Sequence, residues 1–180
     1  MNRISIKRSL AGVGTAAAAL VVLGTAAPTA AQSAETAEIN FRTPFECNQE
    51  WNANTRANHN PQNSVDFQRA DADGQPVLAS ADGTVSRVED LGGESYGKFI
   101  VIEHADGWTT WYAHLSAQDV QEGDAVKTGD PIGKVGNTGG STGPHLHYEQ
   151  RSGSSVERVV LNGVAIKYYG DTPITSSTGC

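Results

Sequence analysis

Ser141-Thr142-Gly143-Pro144-His145-Leu146-His147-Tyr148-Glu149 places two of the chain's five histidines two residues apart, directly after a glycine-rich loop. Along a β-strand, side chains alternate between faces at a rise of about 3.3 Å per residue. Read as a strand, the stretch puts His145, His147 and Glu149 on one face and Leu146 and Tyr148 on the other. The two imidazoles then stand about 6–7 Å apart at Cα, so one can bind a metal while its neighbour meets a substrate. Glu149 is expected to be a surface carboxylate, with a supporting place behind His147 as the alternative.

Outward from this stretch the pattern stays β. Val65–Gln68, Pro76–Ala79 and Thr84–Val88 are short β-compatible runs. Lys98–His104 and Trp108–Leu115 flank the turn Ala105-Asp106-Gly107, and Asp119–Lys127 and Pro131–Val135 flank Thr128-Gly129-Asp130. Asn162-Gly163, between Val159–Leu161 and Val164–Tyr168, is a type I′ hairpin signal. Gly136–Gly143 holds four glycines in eight residues, too many for a helix or a regular strand. It reads as a flexible loop forming one groove wall. Residues 35–63, with five Asn between Asn48 and Asn60, read as an irregular lead-in held by Phe45, Cys47 and Trp51, and the tail from Thr172 reads as irregular. No amphipathic helix is evident. Many short strands with regular turns predict one all-β domain over residues 35–180, a short-stranded sandwich or open barrel.

Arg3, Lys7 and Arg8 precede an Ala/Val/Leu run from Leu10 to about Gly24, and small residues follow. This predicts a signal peptide over residues 1–31, cleaved between Ala31 and Ala34, and an exported protein, secreted or associated with a cell wall. No later stretch is apolar enough to span a membrane, so no membrane association is expected after cleavage. The whole chain has 13 Lys+Arg and 20 Asp+Glu; losing three basic residues with the leader leaves ten against twenty, a net charge of −10. Such an acidic surface argues against nucleic acid as a partner. The chain is expected to be a monomer. Its two cysteines, Cys47 and Cys180, survive cleavage, and an even count in an exported chain predicts a disulfide between them.

The remaining histidines are His59, His104 and His114. His59 precedes Asp66 by seven residues, and the two, joined by a histidine from a distant strand, make a His₂Asp set that leaves a tetrahedral zinc site one open position. In Thr110-Trp111-Tyr112-Ala113-His114-Leu115, strict alternation puts His114 on the face of Thr110 and Tyr112, opposite Trp111, Ala113 and Leu115. His104, where a hairpin strand meets its turn, is expected to lie away from the site.

Together, His59…Asp66, Tyr112-Ala113-His114-Leu115 and Ser141–Glu149 resemble the motifs of lysostaphin/LytM-type zinc metalloendopeptidases. Pro76-Val77-Leu78-Ala79…Asp82-Gly83-Thr84-Val85 and Gly123-Asp124…Val126-Lys127-Thr128-Gly129…Ile132-Gly133 extend the likeness, which covers about residues 59–149. The resemblance implies the duplicated hybrid motif with a central groove and hydrolysis of peptide bonds in bacterial peptidoglycan, in the stem peptide or the cross-bridge. It also implies Zn²⁺ held by His59, Asp66 and His147, with His114 and His145 catalytic. One departure stands out: the family most often has three residues between its first His and Asp, and here there are six, including Pro61.

Two other readings follow from the sequence. A catalytically inactive relative would bind peptidoglycan or regulate another hydrolase, but all five expected groups are present. A biotinyl-type carrier, suggested by Gly123–Gly129, would flank its lysine with methionines, whereas the one Met here is Met1.

Overall fold

The computed structural model describes residues 38–180; the expected leader lies outside the described residues. The strands in chain order are β1 (Glu50–Thr55), β2 (Val65–Gln68), β3 (Pro76–Leu78), β4 (Gly83–Asp90) and β5 (Lys98–Glu103). They continue as β6 (Trp108–Leu115), β7 (Ala117–Gln118), β8 (Ala125–Val126), β9 (Pro131–Lys134) and β10 (Leu146–Ser152). The last are β11 (Ser155–Glu157), β12 (Val160–Leu161), β13 (Val164–Ala165) and β14 (Gly170–Thr175). The only helical turn among the described residues is the 3-10 turn Ala105–Gly107, so the chain is all-β as expected.

A nine-stranded antiparallel sheet runs β14-β1-β2-β10-β6-β5-β4-β8, with β11 paired to the far end of β10. A second sheet, β3-β9-β7, covers one of its faces. Val65 and Phe67 of β2, Leu146 and Tyr148 of β10 and Tyr112 of β6 point into one apolar cluster with Val77 and Ile132 of the smaller sheet. Burying each such side chain stabilises the fold by about 1.5–3 kcal/mol. The alternate residues of β2 and β10 must therefore emerge on the opposite face, and that face carries the polar site.

Three expectations need correction. Glu50–Thr55 is a regular strand, not an irregular lead-in: Trp51, Ala53 and Thr55 are buried in alternation, while Asn52 and Asn54 both donate to Asp171 Oδ1 on the opposing strand. Its partner is the tail, where Gly170–Thr175 pairs with all six residues of β1. Asp119–Lys127 is mostly turn, with only Ala125–Val126 in a strand. The disulfide Cys47–Cys180 is present, closing a separation of 133 residues. Beside it Asn48 N donates to Ser176 O and Ser176 N to Gln49 O, at 2.9 and 2.8 Å.

Candidate metal centre and groove

Strand register assembles the site. Asn54 of β1 faces Asp66 of β2, Asp66 faces His147 of β10, and His147 faces Ala113 of β6. Asp66 and His147, 81 residues apart in sequence, thus become direct cross-strand neighbours.

His114 reaches this row by a different device. Between β5 and β6 the register slips by one residue at Ala113 and His114, a β-bulge, and His114 adopts a positive φ of 63°. This overturns strict alternation: Tyr112 and Leu115 both enter the main core, and His114 turns to the groove face, its ring 4.8 Å from His145 and 5.7 Å from His147. A non-glycine residue in that conformation is strained and persists where surrounding contacts fix it. Here the fixing contacts are His114 N donating to Tyr96 O at 2.9 Å and His114 Nδ1–H donating to Thr138 O at 2.8 Å.

Three candidate ligand atoms converge. His59 Nε2 lies 3.0 Å and His147 Nδ1 3.1 Å from Asp66 Oδ1, and all three donors fall within 4.8 Å of one another. A tetrahedron with metal–ligand arms of about 2.0–2.1 Å has edges of about 3.3 Å, so these spacings suit zinc and the donor set N₂O leaves its fourth position open. The opposite ring nitrogens are held by acceptors: His59 Nδ1–H donates to Ser64 O at 3.2 Å and His147 Nε2–H to Glu149 Oε1 at 3.0 Å. Those contacts direct the other nitrogen of each ring at Asp66. The six residues between His59 and Asp66 are folded into a compact turn, with Ser64 N donating to Pro61 O, and the longer spacing leaves the ligand geometry intact.

Glu149 is not a surface carboxylate. It is fully buried and accepts hydrogen bonds from His147, Tyr96 and Arg151. Burial alone would raise its carboxyl, but the bonds from His147 and Arg151 outweigh burial and keep it ionised below the usual range. Asp66 behaves likewise: burial opposes its charge, and the contacts from His147 and His59 overcome that and hold it far below the ordinary carboxylate range. Burial, followed by the charge of Glu149, pushes the Tyr96 phenol well up. Tyr96 and Arg56, whose guanidinium donates to Asp66 Oδ2 at 2.7 Å, were not singled out from sequence. No local pattern marks either one; only the register that puts Asn54 beside Asp66 brings Arg56 near.

His145 precedes β10, with Nδ1–H donating to Gly143 O at 2.8 Å and Nε2 3.5 Å from Asp66 Oδ1. Burial first, then the neighbouring His145 and His147, push His114 down to about 4, so it is neutral at physiological pH. Gly136–Gly143 is a groove wall, but a fastened one. Gly139 N and Gly140 N donate to Gly92 O and Ser95 O at 3.1 and 2.7 Å, and Thr138 Oγ1 donates to Leu115 O. Gly97 and Gly139 approach so closely that a Cβ on either would collide with the other's backbone. The groove, about 370 Å³, is lined by all four histidines of the cluster, by Arg56 and Tyr96, and by Asn and Ser/Thr side chains. His104 lies apart, as expected: its ring nitrogens meet Asp82 O and Thr110 Oγ1. A larger cavity of about 470 Å³ beside Phe41, Trp108 and Val160 contains no histidine.

In the metal-free protein both nitrogens of His147 face carboxylates. Burial alone would lower its pKa, but Asp66 and Glu149 prevail and raise it above the ordinary histidine value. A metal at Nδ1 must displace that proton. Zinc affinity is therefore expected to fall as pH drops below the raised pKa, by up to about tenfold per unit, with close to one proton released per ion. Calorimetric titrations in buffers of different ionisation enthalpy, at pH 6 to 8, check this; a pH-independent affinity would contradict it.

Residues 60–166, more than half of the chain, match Peptidase family M23. His59 lies just before that stretch, and the structure supplies its place. Over 78 residues the chain is 55% identical to the DD-carboxypeptidase/endopeptidase Mpg of Neisseria meningitidis, an alignment covering 43% of this chain and 17% of that protein. It is 45% identical over 90 residues to the peptidoglycan DD-endopeptidase ShyA of Vibrio cholerae, covering 49% and 20%. The chain thus spans about a fifth or less of the length of these curated relatives. Among solved structures it resembles a zinc-containing peptidase from Vibrio cholerae, with a TM-score of 0.53, 28% identity, and 68% of this chain and 41% of that one covered. It also resembles the catalytic domain of the prophage-encoded M23 protein EnpA from Enterococcus faecalis, with a TM-score of 0.50, 26% identity, and 74% and 94% covered. Sequence match and the strand-built His-Asp-His cluster agree, and the chain belongs to peptidase family M23, a family of metallopeptidases.

Proposed function

We propose that this protein is an exported, monomeric zinc metalloendopeptidase that hydrolyses peptide bonds in bacterial peptidoglycan. The observation that carries the reading is the convergence of His59 Nε2 and His147 Nδ1 on Asp66 Oδ1, with a second pair of imidazoles beside them. The names of the relatives favour bonds between stem peptides over those of a cross-bridge. Zinc bound at His59, Asp66 and His147 supplies Lewis acidity toward the scissile carbonyl and a water acidified toward neutrality.

The chain's own residues supply the proton transfers. His114 and His145 each commit Nδ1–H to a backbone carbonyl, Thr138 O and Gly143 O, which leaves Nε2 of each ring to face the groove. Neutral His114 can accept a proton from the attacking water, and the partner imidazole can donate to the departing amine or to the developing oxyanion. The fastened loop holds both tautomers.

Two experiments test the proposal. Zinc-loaded protein should release soluble peptides from purified peptidoglycan, identified by mass spectrometry, and chelation should stop the release; a zinc-loaded protein that releases none would favour an inactive binding relative. In the second, Gly139→Ala places a Cβ at a φ of +70° and against the backbone of Ser95 and Gly97. The left-handed conformation alone costs about 1–2 kcal/mol, and separating the loops withdraws Thr138 O from His114. Urea denaturation should register the loss of stability, and kcat should fall at least about tenfold; an unchanged kcat would show that the anchor is dispensable.

A further inference from the structure

Among the described residues lining the groove, Arg56 is the one Lys or Arg, in a chain whose charge is −7 overall. Its neighbours along the walls are neutral polar groups, Asn58, Asn60, Ser95, Ser141 and Thr142. The guanidinium is held from behind. Arg56 NH2 donates to Asp66 Oδ2 at 2.7 Å and NH1 to Asn54 Oδ1 at 3.1 Å, and Asn54 is itself fixed by donating to Asp171 Oδ1 at 2.9 Å. These contacts use two of the five N–H donors of the guanidinium, and the side chain remains 46% exposed. A long side chain on a lip is normally free to wander. This one is preorganised: it lines the groove and is hydrogen-bonded to Asp66, a proposed metal ligand.

We propose that Arg56 is a specificity-determining residue that binds a free carboxylate of the substrate peptide next to the scissile bond, so that the preferred substrate is an acidic stem peptide over its amidated form. The idea rests on the peptidase reading given above and names its substrate class. A planar guanidinium fork matches a carboxylate in two parallel hydrogen bonds, whereas a carboxamide offers one acceptor and turns an N–H toward the cation. Asp66 does not consume this capacity: it takes one N–H through Oδ2, and Oδ1 is directed to the two ligand histidines. Among the described residues lining the groove Asp66 is the one Asp or Glu, and Glu149, behind His147, is buried and paired with Arg151.

The test uses cross-linked stem-peptide pairs that differ only in whether the carboxyl beside the scissile bond is free or amidated. The zinc-loaded protein should cleave the free acid with a kcat/KM about tenfold to a hundredfold higher. Arg56→Gln should bring the ratio close to one, and Arg56→Lys, which keeps charge but loses the fork, should fall between. A role confined to holding Asp66 would lower both substrates equally and leave the ratio unchanged. Binding of the same pair to zinc-free protein, followed by tryptophan fluorescence, gives a readout independent of hydrolysis and should show the same order of preference. Equal handling of acid and amide by the unsubstituted protein, in cleavage or in zinc-free binding, would overturn the proposal. So would a preference that survives in folded Arg56→Gln. Failure to cleave either peptide, with the acid still bound more tightly, would instead count against the hydrolytic reading and in favour of the carboxylate site.

Discussion

Replacing His147 by alanine is expected to abolish both hydrolysis and bound zinc, while replacing His145 by alanine abolishes hydrolysis and leaves zinc in place. The two residues are neighbours in sequence, yet their environments divide them. His147 is 3% exposed, offers Nδ1 to the donor cluster, and is backed through Nε2 by a buried carboxylate. Removing it leaves two ligands and strands Asp66 and Glu149 as buried charges with one fewer partner each, a loss of about 3–5 kcal/mol in comparable buried pairs. His145 stands at the start of the strand, its Nδ1 tied to Gly143 and its ring tilted against that of His114. Its removal deletes a proton carrier, worth about 10²–10⁴ in rate, and none of the three converging donors. Zinc per folded chain, measured by elemental analysis beside peptidoglycan turnover, separates the cases. Equal zinc loss in both variants would refute the division.

The second large effect concerns stability. A Cys47→Ser/Cys180→Ser double variant is expected to lose up to about 4–5 kcal/mol, because the cross-link restrains a very long loop in the unfolded chain. For a domain of this size that corresponds to a fall in Tm of roughly 10–15 °C. The fold itself should persist, since β14 is also held to β1 along six residue pairs. Zinc affinity should be nearly unaffected, because the ligands sit on the segment before β2, on β2 itself and on β10, away from the tail. An urea midpoint equal to that of the unsubstituted protein would show that the ladder alone restrains the tail.

What the sequence disclosed and what it hid have physical reasons. β2, β6 and β10 were legible because alternating Val65/Phe67 and Leu146/Tyr148 and the turn residues around them satisfy strand periodicity and local turn chemistry. β1 was not, because its outward positions are asparagines, poor strand formers that here gain Asp171 as a shared acceptor. The direction of His114 was misread because a bulge depends on the partner strand's register, which one strand's sequence does not contain. Glu149 was misjudged for a related reason: on an outward face, burial is decided by what folds over it, and Tyr96 and Arg151 come from outside the motif. The proposed ligand set comes from the family resemblance, while period-2 geometry alone gave the shared face of His145, His147 and Glu149.

The two sides of the groove differ in what they can tolerate. Thr138 and Gly143 on one loop fix the imidazoles of His114 and His145, the proposed proton carriers, so the length of chain between them acts as a ruler that sets their separation. On the other side the Ser64 carbonyl fixes the ring of His59, a proposed metal ligand, while Asn58 and Asn60 are exposed. On the proposed peptidase reading, substrate range is expected to be retunable, by selection or by a protein engineer, through exposed residues of that side, with the loop between Thr138 and Gly143 untouched. On the same reading, insertions between Thr138 and Gly143 are expected to impair hydrolysis before they alter preference.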